Sequence, residues 1–166
     1  MDALYDRRSI RVYSPEAVSD EAIDGVLRAA MYAPSAGNEQ PWHFVVVRDR
    51  DTLNGIAKIH PHAQMVLQAP VAIVVCGDMD LASHGEMWVQ DCAAATENLL
   101  LAVHEQGLGA VWCALHPVAE RQAAFRKLLG IPENVRPFAL IPLGHPGEKK
   151  DRPERFDSSR IHRDRW

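Results

Sequence analysis

The segment APVAIVVCGD, residues 69–78, most constrains how this 166-residue chain can fold. Its apolar residues are continuous, whereas a strand with one solvated face alternates apolar and polar residues. A strand that is apolar on both faces must be covered on both sides by other elements of the fold. The sequence therefore predicts a covered, central strand here.

Helical and strand patterns alternate along the rest of the chain. Ser19 and Asp20 supply an N-cap and an acidic first turn, and the apolar spacing that follows predicts a helix over 20–32. Pro34 and Gly37 end that pattern. Further strands are predicted at 43–49, 109–115 and 137–145, and further helices at 51–59, at 86–106 with Gly107 after its end, and at 118–130. The class is therefore α and β in one layered domain, residues 1–166.

Composition and charge exclude several kinds of protein. The formal net charge of −4 argues against a surface for nucleic acid or anionic membranes. No apolar run approaches the roughly 20 residues that cross a bilayer, and the N-terminus is charged where a signal peptide would be apolar. We therefore expect a cytoplasmic protein without nucleic-acid or membrane partners.

The cysteines and histidines do not form a convincing metal or disulfide pattern. Cys76, Cys92 and Cys113 are widely spaced among apolar residues, which predicts three small core residues. His60 and His62 could offer two imidazoles to a metal, but Pro61 between them is more typical of an exposed turn. We predict no metal site.

Two polar stretches could bind a ligand. In YDRRSIRVY, residues 5–13, the three arginines and Ser9 could hold a monophosphate, because guanidinium groups are forked donors. The alternative for this stretch is a solvated, charged helix start. In APSAGNEQPW, Asn38 and Gln40 could bind sugar hydroxyls or a heteroaromatic edge, or serve only the loop itself.

Familiar catalytic motifs are missing from the sequence. The segment GLGAVW begins like a dinucleotide-binding fingerprint, but it precedes a strand and Trp112 replaces the third glycine. There is no GxSxG, phosphate-loop lysine or HExxH motif. Hydrolase chemistry is therefore not indicated.

Five segments, taken in order, resemble the FMN-dependent nitroreductase family. They are RRSIRVY, APSAGNEQPWHFVVV, AAATENLLLAVHEQGLGAVW, LGIPENVRPFALIPLGHP and RFDSSRIHRDRW. The resemblance implies an α+β fold with a central, mostly antiparallel sheet flanked by helices. It also implies an intertwined homodimer with FMN in a groove at the subunit interface. Residues 148–166 would then be a C-terminal arm on the partner subunit, anchored by Ile161 and Trp166.

The resemblance also implies which residues hold FMN. Arg7, Arg8 and Ser9 would grip its phosphate, and Arg11 would be the cation near the N1/O2 edge of the flavin. Family members often have two basic positions, two residues apart, near the start of this C-terminal segment. Arg155 matches the second position, whereas Pro153 occupies the first. Arg152 is expected to substitute for the missing basic residue. The remaining implied contacts are Pro34, Ser35, Ala36, Asn38 and Gln40 from the other subunit, and the backbone of Pro142, Leu143 and Gly144.

By the same resemblance, the chain would be an FMN-dependent oxidoreductase that uses NADH or NADPH. Hydride would pass through flavin N5 in a ping-pong sequence to nitroaromatics, quinones or similar acceptors, without a catalytic side chain. Little sequence separates residue 78 from the long helix, so we expect an open pocket, roofed by Met87 or Trp88 unless these are core residues. Three alternatives stay open: a specialised flavin-dependent dehydrogenase or biosynthetic enzyme, a protein that stores or senses FMN without turnover, and a plain scaffold or metal protein.

Overall fold

The structure, a computed structural model, describes residues 2–166. Its α-helices are α1 (Asp2–Asp6), α2 (Asp20–Ala30), α3 (Arg50–Ile59), α4 (Met87–Glu105) and α5 (Ala119–Leu129). Its strands are β1 (Trp42–Val47), β2 (Val71–Asp78), β3 (Gly109–Ala110), β4 (Cys113–Ala114) and β5 (Val135–Gly144). Short 3₁₀ turns occur at Ala36–Asn38, Gln64–Leu67 and Ser158–Arg160.

The strands form one antiparallel sheet in the order β1-β2-β5-β3, with β4 paired to β5 farther along that strand. β2 lies inside the sheet, where Val74 is opposite Val45 on one side and Leu140 on the other. Residues 71–76 have no exposed surface. The covered, central strand predicted for residues 69–78 is confirmed.

Helices cover both faces of this sheet. Successive side chains of a strand point to opposite faces, and in β2 both sets are apolar. Odd-numbered residues of β2, such as Ile73, pack in a hydrophobic layer with α2 and α4, where Leu99 is buried. Even-numbered residues, such as Val74, pack with α3 and α5, where Leu53 and Phe125 are buried. The chain therefore has the α+β fold, with a mostly antiparallel sheet flanked by helices.

The helix boundaries follow the local signals in the sequence. Ser19 caps α2 by accepting a hydrogen bond from the backbone N–H of Ala22 at 3.1 Å. Gly107, after the end of α4, has φ of +72° and donates to the carbonyl of His104 at 2.9 Å. The predicted helices at 20–32 and 86–106 are confirmed to within two residues.

The strand predicted at 109–115 is interrupted. Ala110 lies opposite Leu143 and Cys113 lies opposite Leu140, so the same register brings Pro142 opposite Val111. Pro142 has no N–H to donate, and the one bond between them, from Val111 N to Pro142 O, is long at 3.4 Å. The ladder therefore breaks into β3 and β4.

The stretch YDRRSIRVY is not a helix start. α1 ends at Asp6, and Ser9 then forms a parallel bridge with Ala110 at the edge of the sheet. Ile10 donates its N–H to Ala110 O at 2.9 Å. A β-carbon at Gly109 would lie 2.7 Å from Ile10 Cβ, so the close approach of this segment requires glycine.

The cysteines are core residues, as predicted. All three are free and buried. Burial raises the pKa of Cys76 to about 12 and that of Cys113 to about 11, so both are protonated thiols near neutral pH. Within residues 2–166, no helix is long and apolar enough to cross a membrane.

The exposed turn expected at His60 and His62 is correct only for His62. His60 is 1% exposed and packs edge-on against Phe125. Its Nε2 lies 3.2 Å from Ala114 O, and no partner among residues 2–166 reaches its Nδ1. Burial, with a smaller contribution from the charge of Arg121, lowers the pKa of His60 below 6.5.

This lowered pKa makes stability depend on pH. The unfolded chain takes up a proton on His60 below about pH 6.5, whereas the folded protein takes it up only at a lower pH, so stability falls as the pH falls below about 6.5. We predict that the free energy of unfolding decreases from pH 7 to pH 5, and that His60→Gln reduces the slope by up to about 1.4 kcal/mol per pH unit. Urea titrations at several pH values measure this. His62→Gln, at the exposed neighbour, should keep the original slope; equal slopes for the original protein and His60→Gln would contradict the account.

Candidate active site

Three of the predicted phosphate-binding arginines line one cleft of about 410 Å³, here called the arginine cleft. It lies between the N-terminal segment, the C-terminal half of α4 and residues 146–152. Its basic side chains are Arg7, Arg8, Lys149, Lys150 and Arg152. Its acidic side chains are Asp6, Glu148 and Asp151, so the cleft carries a local excess of positive charge.

The backbone holds Arg8 firmly. Its guanidinium donates to the carbonyl oxygens of Asp151 at 3.0 Å, of Arg7 at 2.5 Å, and of Tyr5. All three guanidinium nitrogens therefore have protein partners. Arg8 connects the end of α1 to the start of the C-terminal arm.

Arg7 and Arg152 have weaker partners than Arg8. Arg7 Nε lies 3.5 Å from Glu97 Oε1 on α4, and 21% of the Arg7 side chain is exposed. The Arg152 guanidinium carbon lies 4.3 Å from the ring centre of Tyr5, in a cation–π contact, and Nη1 lies 3.7 Å from Asp6 Oδ1. These two guanidinium groups are therefore freer than Arg8 to bind an added anion.

Lys150 belongs to the same cluster, and the sequence analysis missed it. Its Nζ donates to Ser9 O at 2.7 Å and lies 3.2 Å from Glu148 Oε1. The same carboxylate oxygen accepts the backbone N–H of Arg11 at 2.6 Å, a bond that lowers the pKa of Glu148. The charged run GEKKDR was the available signal, because it begins three residues after the end of the buried strand β5.

The backbone of Pro142, Leu143 and Gly144 lies near the arginine segment. Leu143 and Gly144 pair with β3, whose other edge carries Ser9. The buried Tyr13 hydroxyl lies 2.7 Å from Ile10 O and 3.0 Å from Pro142 O, so it links the two segments. The structure thus brings residues 7–11, 142–144 and 152 to one end of the protein, while Arg155 is exposed and does not line the cleft.

The second group of predicted residues lies in a different place. Pro34, Ser35 and Ala36 line a cleft of about 300 Å³, here called the loop cleft. Its other lining residues, all on α4, are Met87, Gln90, Asp91 and Ala94. Asn38 and Gln40 belong to the same loop but do not line this cleft.

The loop backbone has an unusual conformation. Gly37, Asn38 and Gln40 have φ angles of +57°, +57° and +50°. Residues other than glycine adopt such angles rarely, and they persist where the surrounding contacts fix them. Here Gln40 donates its N–H to Ser35 Oγ at 3.0 Å and its side-chain amide to Asn38 Oδ1 at 2.9 Å.

Glu39 attaches this loop to the segment before α4. Its Oε1 accepts the Ser83 N–H at 2.9 Å and the Ser83 hydroxyl, and it lies 2.6 Å from His84 Nδ1. The hydrogen bond from the Ser83 hydroxyl is the main reason that the pKa of Glu39 falls to about 2. The short segment between β2 and α4 therefore fixes the loop.

Only one of the two predicted roof residues is exposed. Trp88 is 1% exposed and packs edge-on against His116 and Phe138, so the alternative interpretation of Trp88 as a core residue is correct. Met87 is 43% exposed and lines the loop cleft.

The two clefts lie at opposite ends of α4. Met87 and Asp91, near its start, line the loop cleft, whereas Val103 and His104, near its end, line the arginine cleft. At about 1.5 Å per residue, the nearest lining residues of the two clefts, Ala94 and Leu100, are separated by about 9 Å along the helix axis. Within one chain, the two groups of predicted residues do not meet.

Comparison with known proteins decides the family. The sequence pattern of the Nitroreductase family matches residues 4–70 and 60–145. The chain belongs to the nitroreductase family. It is 53% identical over 167 residues, covering 98% of this chain and 96% of the relative, to a "Putative NADH dehydrogenase/NAD(P)H nitroreductase" of Archaeoglobus fulgidus.

Solved structures are similar to this nitroreductase-family protein over 99% of its length. An FMN-dependent nitroreductase from Clostridium difficile R20291 matches with a TM-score of 0.91 and 27% identity, over 98% of that chain. A "putative nitroreductase" from Desulfovibrio desulfuricans, solved in complex with FMN, matches with a TM-score of 0.85 and 33% identity, over 96% of that chain.

The loop of this nitroreductase-family protein offers a test of its packing. We predict that Gly37→Ala destabilises the protein by more than the roughly 1–2 kcal/mol expected from a positive φ alone. The reason is that the new β-carbon would lie 2.6 Å from His84 Cε1. Chemical denaturation measures the loss.

Gly85→Ala is the matched control. Gly85 also has a positive φ, of +62°, but a β-carbon there would meet nothing within 4 Å. Gly85→Ala should therefore show only the loss that the positive φ causes. Equal losses for the two variants would show that His84 does not pack on Gly37 as described.

Proposed function

We propose that this protein is an FMN-dependent NAD(P)H oxidoreductase whose active site is shared between two copies of the chain. The observation that carries the proposal is the arginine cleft, an excess of positive charge beside Pro142–Gly144 in an otherwise acidic protein. Forked guanidinium donors suit a phosphate monoester, and membership of the nitroreductase family supports FMN as its bearer.

The phosphate contacts divide unequally among the basic residues. Arg7 and Arg152 supply the main guanidinium donors, because their present partners are only a distant carboxylate and an aromatic ring. Arg8 mainly orders the segment through its three carbonyl partners, and Ser9 contributes its hydroxyl. Arg155 reaches the phosphate only through an arm whose position depends on the second copy.

The position of the loop cleft supports a homodimer. The α4 helices of two copies, packed antiparallel about a two-fold axis, would bring the loop cleft of one copy beside the arginine cleft of the other. Pro34, Ser35, Ala36, Asn38 and Gln40 would then line the ring and ribityl chain of a flavin whose phosphate lies on the partner.

Residues 148–166 provide a second argument for two copies. The side chains of Phe156, Ile161 and Trp166 are 74%, 49% and 101% exposed, and residues 151–166 are exposed throughout. Large apolar side chains on one extended segment are typical of a surface that is buried by association. We propose that this segment lies as an arm on the partner subunit, with the rest of residues 1–166 forming a single domain.

The protein's part in the reaction is binding and electrostatics. Bound FMN would supply hydride transfer through N5, from NADH or NADPH and then to a nitroaromatic, quinone or similar acceptor in a ping-pong sequence. Arg11 would place its positive charge near the N1/O2 edge, where it would stabilise the negative charge of reduction. Because NAD(P)H is the proposed donor, we place the protein in the cytoplasm.

The test is the flavin content and turnover of the purified protein. We predict a yellow protein with flavin absorbance that NADH or NADPH bleaches and that menadione or nitrofurazone restores, with steady consumption of the donor. Arg7→Ala should weaken FMN binding by about tenfold or more, as expected for the loss of a charge-assisted contact. Arg28→Ala, an exposed arginine on α2, should bind FMN like the original protein.

Two results would contradict the proposal. A protein without affinity for FMN would exclude a flavoenzyme. A yellow protein that neither NADH nor NADPH reduces would indicate storage or sensing of FMN instead.

A further inference from the structure

A carboxylate, that of Asp91, is buried on α4 among apolar side chains, where an ionisable group is not expected. Asp91 is 5% exposed and lies on the apolar side of the helix, three residues after Trp88 and four before Ala95. Both of these neighbours belong to the hydrophobic layer on the sheet. An ionisable side chain at such a position costs stability unless its bonds offset its desolvation.

The bonds of Asp91 within the chain are few. Its Oδ1 accepts the backbone N–H of Ala36 at 2.9 Å. Its Oδ2 is buried, and no donor among residues 2–166 reaches it. One hydrogen bond offsets only part of the desolvation free energy of a buried carboxylate. A contribution to the stability of the fold therefore does not explain why Asp91 occupies this position.

The one bond that Asp91 makes lies at the start of the loop. Ala36 is the first residue of the 3₁₀ turn Ala36–Asn38, and Ser35 occupies the N-cap position. Ser35 makes no capping bond, because its hydroxyl accepts the N–H of Gln40 instead. Asp91 therefore accepts, from another element, one of the N–H groups that the start of the turn leaves without an internal partner.

The effect of this bond extends along the loop. Gly37 and Asn38 follow Ala36 directly and both have positive φ angles. The Asp91 bond fixes the direction of the Ala36 N–H at the start of this strained turn. Pro34, Ser35 and Ala36 line the loop cleft together with Asp91. Among residues 2–166, no other acceptor bonds that N–H.

We propose that Asp91 is a positioning residue for the cofactor: it fixes the Pro34–Ala36 turn in the conformation that receives the flavin. This inference rests on the proposed function, because it assigns the turn to flavin binding. Asp91 itself acts through Ala36 and does not take part in the redox chemistry.

Two variants of Asp91 and one control test the role. Asp91→Asn keeps an acceptor for Ala36, whereas Asp91→Ala removes it. Thr96→Val is the control, because Thr96 is also buried on α4 and bonds only the carbonyl of Cys92, at 2.7 Å. FMN affinity, measured by quenching of flavin fluorescence, is compared with the free energy of unfolding for each variant.

We expect Asp91→Ala to weaken FMN binding by about tenfold or more, and Asp91→Asn and Thr96→Val by less than about threefold. Thr96→Val should lose stability without losing FMN affinity, which separates positioning from general destabilisation. The inference is overturned if Asp91→Ala binds FMN within about threefold of the original protein. It is also overturned if Asp91→Asn or Thr96→Val loses as much affinity as Asp91→Ala.

A measurement on the unaltered protein covers the case in which Asp91→Ala does not fold. In flavin-free protein, amide hydrogen exchange at Ala36 should be at least about tenfold slower than at Gly37. Equal exchange rates at the two amides would overturn the role of Asp91 whether or not the protein binds FMN. Absence of FMN binding by the original protein with slow exchange at Ala36 would instead contradict the proposed function, and would leave standing only that Asp91 fixes the turn.

Discussion

The packing of α4 against the sheet is the interaction on which the rest of the structure depends. Its buried side chains, Trp88, Cys92 and Leu99 among them, lie in the same hydrophobic layer as alternate residues of β2 and β5. Because this face of the helix is fixed, both of its ends are fixed as well. One end carries the loop cleft and the other the arginine cleft, so neither cleft can move toward the other without breaking the core.

The two clefts are organised by different forces. In the arginine cleft, charges and backbone carbonyls hold the basic side chains, and basic side chains outnumber acidic ones. In the loop cleft, a few hydrogen bonds hold a backbone that is unfavourable by itself. Strain of this kind persists only where several contacts determine it together, and it is concentrated at ligand sites. The Glu39 and Asp91 carboxylates provide two of those contacts, Glu39 by accepting from Ser83 and Asp91 by accepting from Ala36.

Much of the fold could be predicted from the sequence because local signals and burial agree. The continuous apolar run of β2, the Ser19 cap and Gly107 each have one structural interpretation, and each is confirmed. The break between β3 and β4 could not be predicted, because it depends on Pro142 lying opposite Val111 in another strand.

The candidate site was predictable as residue types but not as an arrangement. The arginine segment and the Pro34–Gln40 loop were visible as motifs, whereas their separation along α4 follows only from the packing. Asp91 did interrupt an apolar stripe, but its partner, Ala36, is distant in sequence. His60 was misjudged because the Pro61 signal reports a turn and not the burial of the residue before it.

Subunit complementation tests the shared site most directly. Arg7→Glu damages the arginine cleft and Ala36→Trp fills the loop cleft, so neither homodimer should keep a high-affinity FMN site. A heterodimer of the two variants, co-expressed and isolated through two different tags, would combine both changes in one site and leave the other intact. The account predicts one FMN per two chains, bound with the affinity of the original protein. A heterodimer without such a site, or failure to isolate any heterodimer, would contradict a site built from two chains.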